Sequence, residues 1–118
     1  MSGLSTHILD LMHGKPAAFV RIDLFYYENQ NKRILLETFY TNEDGRLQQP
    51  YQQDTGLKVG TYEYVFFIGT YFREKEVELP EPAFLDEVAV RFGVSDPSSH
   101  YHVPLLVSPF GYQVYRGS

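Results

Sequence analysis

Ala18, Val20, Ile22, Leu24 and Tyr26 occupy every second position of one stretch, with Arg21 and Asp23 among the residues between them. A period of two is the side-chain repeat of a β-strand, and it gathers the apolar set on one face. Such a strand needs partners, since a lone strand or hairpin is hardly stable in water. The rest of the chain supplies them. Residues 4–11 read as a first strand, with Ser5, His7 and Leu9 on one face, broken by His13-Gly14-Lys15-Pro16. Residues 29–32 are a polar turn into a strand over 33–41, so these two strands read as an antiparallel hairpin. Asp44-Gly45 marks a turn that Arg46 leaves.

Residues 47–59 are Gln-rich and weakly patterned, which predicts a loop with a short strand. Residues 60–69 are the clearest buried strand. Residues 71–78 suit one or two helical turns with a charged face, ended by Pro80 and Pro82. A strand over 85–94 and a turn over 96–99 lead into a closing pair of strands over 100–118. Roughly seven or eight short strands at hairpin spacing, with one short helix, define an all-β chain, most simply a two-sheet sandwich.

The length of 118 residues suits a single domain, residues 1–118, able to bury roughly two thirds of its unfolded surface. The ten Tyr and nine Phe, with no Trp, fit pleated, packed faces. No stretch approaches the ~20 apolar residues of a membrane span. Residues 1–7 lack a basic and apolar leader pattern, so the expected location is cytoplasmic. The absence of cysteine removes disulfides, thiolate catalysis and thiolate metal sites. A net charge of −5 with ten scattered Lys and Arg argues against nucleic acid as a partner.

Chemistry concentrates on four histidines, His7, His13, His100 and His102. His100 and His102 are two apart and share a strand face. With a third histidine they make a zinc site chemically open. The metal-free alternative uses neutral imidazole as a general base. Arg46 would then hold an anionic or carbonyl-rich planar substrate through its forked donors. Taken singly, His7 and His102 also suit partly buried structural histidines, and Arg46 an exposed turn residue. There is no Gly-rich phosphate loop, nucleophile elbow or helical H-E-x-x-H.

Three motifs, in order along the chain, resemble a known family. Leu4-Ser5-Thr6-His7-Ile8-Leu9-Asp10 with Gly14-Lys15-Pro16-Ala17, then Thr41-Asn42-Glu43-Asp44-Gly45-Arg46, then His100-Tyr101-His102-Val103-Pro104-Leu105-Leu106 with Ser108-Pro109 and Tyr115-Arg116-Gly117-Ser118, are similar to the transthyretin-related 5-hydroxyisourate hydrolases. The last tetrapeptide is what separates those hydrolases from transthyretin, a carrier on the same fold. The resemblance implies two four-stranded sheets with a short helix after the fifth strand. It also implies a homotetramer with active sites at the dimer–dimer interface.

The implied reaction opens the ring of 5-hydroxyisourate by water attack to give 2-oxo-4-hydroxy-4-carboxy-5-ureidoimidazoline in urate degradation, without metal or cofactor. Position by position, the resemblance assigns His7, Arg46, His102 and Ser118 to catalysis, and His7, Arg46 and Tyr115 to substrate binding. Arg116 points away from Tyr115 on alternation and is expected in a structural ion pair. His100 is expected behind the site or in solvent, and His13 as a turn residue. Ile8, Leu11, Met12 and Phe110 depart from the commoner residues of the family but remove no assigned group. The alternative function on this sandwich is a small-molecule carrier. An Ig-like adhesion domain would predict secretion and often a disulfide, and the sequence shows neither.

Overall fold

The computed structural model describes residues 2–118. In chain order the elements are β1 (Gly3–Asp10), β2 (Lys15–Pro16), β3 (Arg21–Asn29), β4 (Lys32–Tyr40), β5 (Gly60–Phe66), α1 (Ile68–Glu74), β6 (Val88–Val94), β7 (His100–Ser108) and β8 (Gly111–Val114). They form two four-stranded sheets, ordered β2-β1-β7-β8 and β4-β3-β5-β6. This is the sandwich with one short helix that the alternation predicts.

The inner faces supply the core. Leu4 and Ile8 of β1 and Tyr101, Val103, Leu105 and Val107 of β7 lie against Ile22, Leu24, Tyr62, Tyr64 and Phe66 of the other sheet. Burying each such side chain contributes about 1.5–3 kcal/mol. Helix α1 adds Ile68, Tyr71 and Phe72, whose spacing of three and one places them on one helical face.

Two details decide where function sits. β1 and β7 pair parallel, with Ser5 opposite His102 and His7 opposite Pro104, although almost the whole chain lies between them. The other strand pairs are antiparallel. The inward set of β1 and β7 leaves Ser5, His7, His100 and His102 on the outer face, partly or fully exposed.

Several boundaries differ from the sequence reading. The helix begins at Ile68 rather than residue 71 and ends by Glu74. The apolar run over 60–69 concealed the change from strand to helix, because periodicity does not separate them in short buried runs. β3 begins at Arg21 rather than residue 18, since Phe19 takes φ 62° in a turn. There Thr41 Oγ1 donates to the Ala17 carbonyl and accepts from the Val20 amide. β6 starts at Val88 rather than residue 85. Lys15-Pro16 does more than break β1, for it folds back and pairs with Leu9 and Asp10.

His13 is also more than a turn residue. Its Nδ1 lies 2.6 Å from Oδ2 of the fully buried Asp10, and its amide donates to Oδ1 at 3.0 Å. The Tyr71 hydroxyl donates to the same Oδ2 at 2.7 Å, tying α1 to the end of β1. Burial opposes ionisation of Asp10, but the hydrogen bonds from Tyr71 and His13 outweigh it and hold the carboxyl below its usual range.

Candidate active site

The outer face of the β1–β7 pair carries the chemistry, and two irregular segments complete it. The first is the turn over 42–46. Asn42 Oδ1 accepts from the amides of Asp44 and Arg46, while the Asn42 amide donates to the Arg46 carbonyl at 2.8 Å. The Ile8 amide donates to the Gly45 carbonyl at 2.9 Å, which clamps the turn onto β1 and sets Arg46 opposite His7 as a bridge partner. Gly45 has φ 73°, and a Cβ there would come 2.7 Å from the Ile8 carbonyl oxygen. Only glycine lets the turn approach this closely.

The second segment is the tail after β8. The Gly117 amide donates to the His102 carbonyl at 2.8 Å, making a bridge across β7. A Cβ at Gly117 would sit 2.8 Å from Cδ2 of His102 and 3.0 Å from Cγ of Pro104. The glycine of the tetrapeptide therefore lets the backbone lie against the His102 ring, and Ser118 follows into the cleft.

That cleft, of about 270 Å³, is bounded by Ser5, Arg46, Pro50, His100, His102 and Ser118. His7 joins it through His102: its Nδ1 lies 2.8 Å from Nε2 of His102, with the rings stacked at 4.9 Å between centroids. Arg46 is in no ion pair among the described residues, so its charge is open to a ligand. Burial, then the Arg46 charge, lowers the His7 pKa below its ordinary value. Burial, His7, Arg46 and His100 together push His102 down to about 4. Both rings are therefore neutral near pH 7 and able to accept a proton.

The structure thus brings His7, Arg46, His102 and Ser118 together from four separate parts of the chain. Tyr115 stands apart. Within one chain it is half-exposed and borders a different depression of about 320 Å³, with Val90, Phe92, Tyr101 and Arg116. Arg116 corrects the sequence reading: among the described residues it makes no ion pair. Its guanidinium stacks 4.2 Å over the Tyr101 ring, and Nη2 lies 3.5 Å from the His100 carbonyl. No group of three or more His, Asp or Glu among the described residues is arranged to hold a metal ion. The histidine nitrogens here face one another. Ser5, which the sequence reading placed on the His7 face without a role, touches both His100 and His102. Its period-two relation to His7 was visible; its parallel partner was not.

A sandwich with this topology has known relatives. The family model described as HIUase/Transthyretin family matches residues 4–117, and the chain belongs to that family. It is 52% identical over 115 residues to 5-hydroxyisourate hydrolase 2 of Rhizobium meliloti (strain 1021), covering 98% of this chain and 95% of the relative. Among solved structures, Klebsiella pneumoniae 5-hydroxyisourate hydrolase is 30% identical with a TM-score of 0.81, each chain covered fully. An (S)-allantoin synthase is 42% identical with a TM-score of 0.91 over 99% of this chain, which spans only 44% of that protein. Sea bream transthyretin in complex with thyroxine has a TM-score of 0.85 over 98% of this chain and 94% of its own, at 23% identity, a likeness of fold alone.

Proposed function

We propose that this chain, residues 1–118 acting as one domain, hydrolyses 5-hydroxyisourate to 2-oxo-4-hydroxy-4-carboxy-5-ureidoimidazoline in urate degradation. The observation that carries the reading is the convergence of His102, Arg46 and Ser118 on one cleft, with His7 joined to it through His102 and the backbone held there by Gly45 and Gly117. Its close relatives bear the same activity in their names.

The chemistry follows from the geometry. The His7–His102 pair accepts a proton from water as it attacks a ring carbonyl, then returns one to the departing ring nitrogen. A positioned base of this kind contributes typically ~10²–10⁴-fold. Arg46, with no internal counter-ion, binds the polar edge of the substrate and stabilises the oxyanion that forms. Ser118 positions substrate or water, while Tyr115 borders the separate depression beside Tyr101 and Arg116. No step calls for a cofactor.

The same reading carries a homotetramer with sites at the dimer–dimer interface. Open sheet edges, β6 and β8 among them, and exposed apolar side chains at Leu11, Met12, Phe84 and Phe110 support association. A cytoplasmic location goes with the cysteine-free composition.

The test is a coupled assay in which urate and urate oxidase generate 5-hydroxyisourate and its ultraviolet decay is followed. Accelerated decay by the wild type, lost in His102→Ala and in a variant lacking Ser118, is the expected result. Decay at the spontaneous rate by folded wild type overturns the proposal and brings the carrier reading forward.

A further inference from the structure

The outer face of β1 and β7 holds more than the His7–His102 pair. Ser5 Oγ lies 2.7 Å from Nδ1 of His102 and 2.8 Å from Nε2 of His100. Together with the 2.8 Å contact between Nδ1 of His7 and Nε2 of His102, this makes one unbroken file: His7, His102, Ser5, His100. Each inner polar atom faces the next member. The ring nitrogens left over are Nε2 of His7, on the residue bridged to Arg46, and Nδ1 of His100, an exposed residue that also borders the cleft.

A hydroxyl has one hydrogen to donate, and a neutral imidazole has one donor and one acceptor nitrogen. Ser5 can donate to only one of the two histidines and can accept from the other, and when it does both, the direction of every link is fixed. In one arrangement His7 donates to His102, His102 to Ser5 and Ser5 to His100, leaving Nε2 of His7 as a free base. In the other arrangement all three links run backwards, and Nε2 of His7 carries a hydrogen. The two differ by one hydrogen moved along each link, together with one gained at Nε2 of His7 and one lost from Nδ1 of His100.

We propose that Ser5 and His100 complete a proton path for the hydrolysis, joining the His7–His102 pair to solvent. The inference rests on the hydrolase reading. As water attacks, its proton enters at Nε2 of His7, one hydrogen moves along each link, and one leaves to solvent from Nδ1 of His100. When the ring C–N bond breaks, His7 gives its Nε2 hydrogen to the nitrogen, the links reverse, and His100 recovers a proton from solvent. Every imidazole is neutral before and after each transfer. Ser5 acts through His102 and is a positioning residue.

The electrostatics favour passing a proton over storing one. Burial and the Arg46 charge hold His7 below its ordinary pKa, and burial with His7, Arg46 and His100 holds His102 near 4. Arg116 also lies near the file, at the His100 carbonyl, and Ser118 borders the cleft beside His100 and His102. Among the described residues no carboxylate hydrogen-bonds to any member, so nothing anchors an imidazolium there.

The experiment compares wild type with Ser5→Ala, Ser5→Thr and His100→Gln in the coupled assay, with solvent isotope effects measured in graded H2O/D2O mixtures. In Ser5→Ala the path predicts kcat reduced about 10- to 100-fold with KM unchanged. It also predicts a multi-proton isotope curve that becomes linear, and recovery of both in Ser5→Thr. Ser5→Ala within twofold of wild type, with the wild-type isotope curve, overturns it. If Ser5→Ala fails to fold, His100→Gln at an exposed position decides by the same two readouts. If wild type does not hydrolyse 5-hydroxyisourate, the reading beneath fails separately, and nitrogen-15 NMR of labelled histidines decides the file. Tautomers that agree in direction across His7, His102 and His100, and lose that agreement in the serine variant, keep it; independent tautomers overturn it.

Discussion

The two sheets each carry polar side chains on their outer faces, but they treat charge in opposite ways. On the β4-β3-β5-β6 sheet, Glu63 is only 5% exposed, yet every demand of its carboxylate is met. Arg33 donates to Oε1 at 2.6 Å, the Tyr27 hydroxyl donates to the same oxygen, and Arg91 reaches Oε2 at 3.4 Å. Nearby, Asp23 is paired with Arg21 and Thr38. On the β2-β1-β7-β8 sheet the cation Arg46 has no carboxylate, and the imidazoles have only one another and Ser5. Opposite charges in contact satisfy themselves and stabilise the fold. A free cation beside mutually facing neutral bases leaves interactions to be completed by a substrate. Similar strand alternation thus produces a self-satisfied cluster on one sheet and an open one on the other.

That contrast breaks most visibly at Arg46. Arg46→Gln is expected to lower kcat/KM about 10²–10³-fold in the hydroxyisourate assay, since it removes a charged donor to the oxyanion. The same substitution sharpens the comparison through pH. Removing the guanidinium relieves one cause of the low His102 pKa, so its NMR titration midpoint moves up from about 4 toward the ordinary imidazole value. The sign for stability is fixed by linkage. With a depressed folded pKa, the stability linked to His102 is complete above 6.5 and is lost as pH falls through about 4. Arg46→Gln narrows that window.

On the paired face the expected loss is in stability instead. Glu63→Ala leaves Arg33 and Arg91, both partly in water, without their carboxylate, and costs about 2 kcal/mol in denaturant unfolding. Turnover at the cleft stays within twofold. The smallest effect belongs to the core between the sheets. Among the described residues, the Tyr64 hydroxyl is the buried side-chain polar atom that has no hydrogen-bond partner, and burial alone raises its pKa. Tyr64→Phe removes it and should leave stability unchanged or raise it by about 1 kcal/mol. A clear loss there would show that the hydroxyl is satisfied in solution.

Much of this was legible in the residues. Period-two alternation around Ile22 and Leu24, and Gly and Pro between the runs, dictated strands and turns, because local sterics and burial of one face act over a few residues. The motifs around His7, Arg46 and Ser118 pointed to a candidate site through their family resemblance, whereas their residue types alone left His7 and Arg46 open to structural readings. Ile68 as a helix start was not legible, since a short buried run has the same composition in a strand and in a helix. The role of Ser5 was hidden more deeply.

The sequence by itself determined the all-β class, the inward and outward faces of β1 and β7, and the residue types available for acid–base chemistry. Tertiary structure alone decided that β1 lies parallel to β7, with Ser5 beside His102 and the Gly117 backbone against that ring. It also drew His13 onto Asp10 and turned Arg116 onto Tyr101 rather than into an ion pair. The reason is range. Alternation and turn chemistry are set by neighbours in the chain, whereas the pairing of strands almost a hundred residues apart is settled by burial of the whole core, which no local pattern encodes.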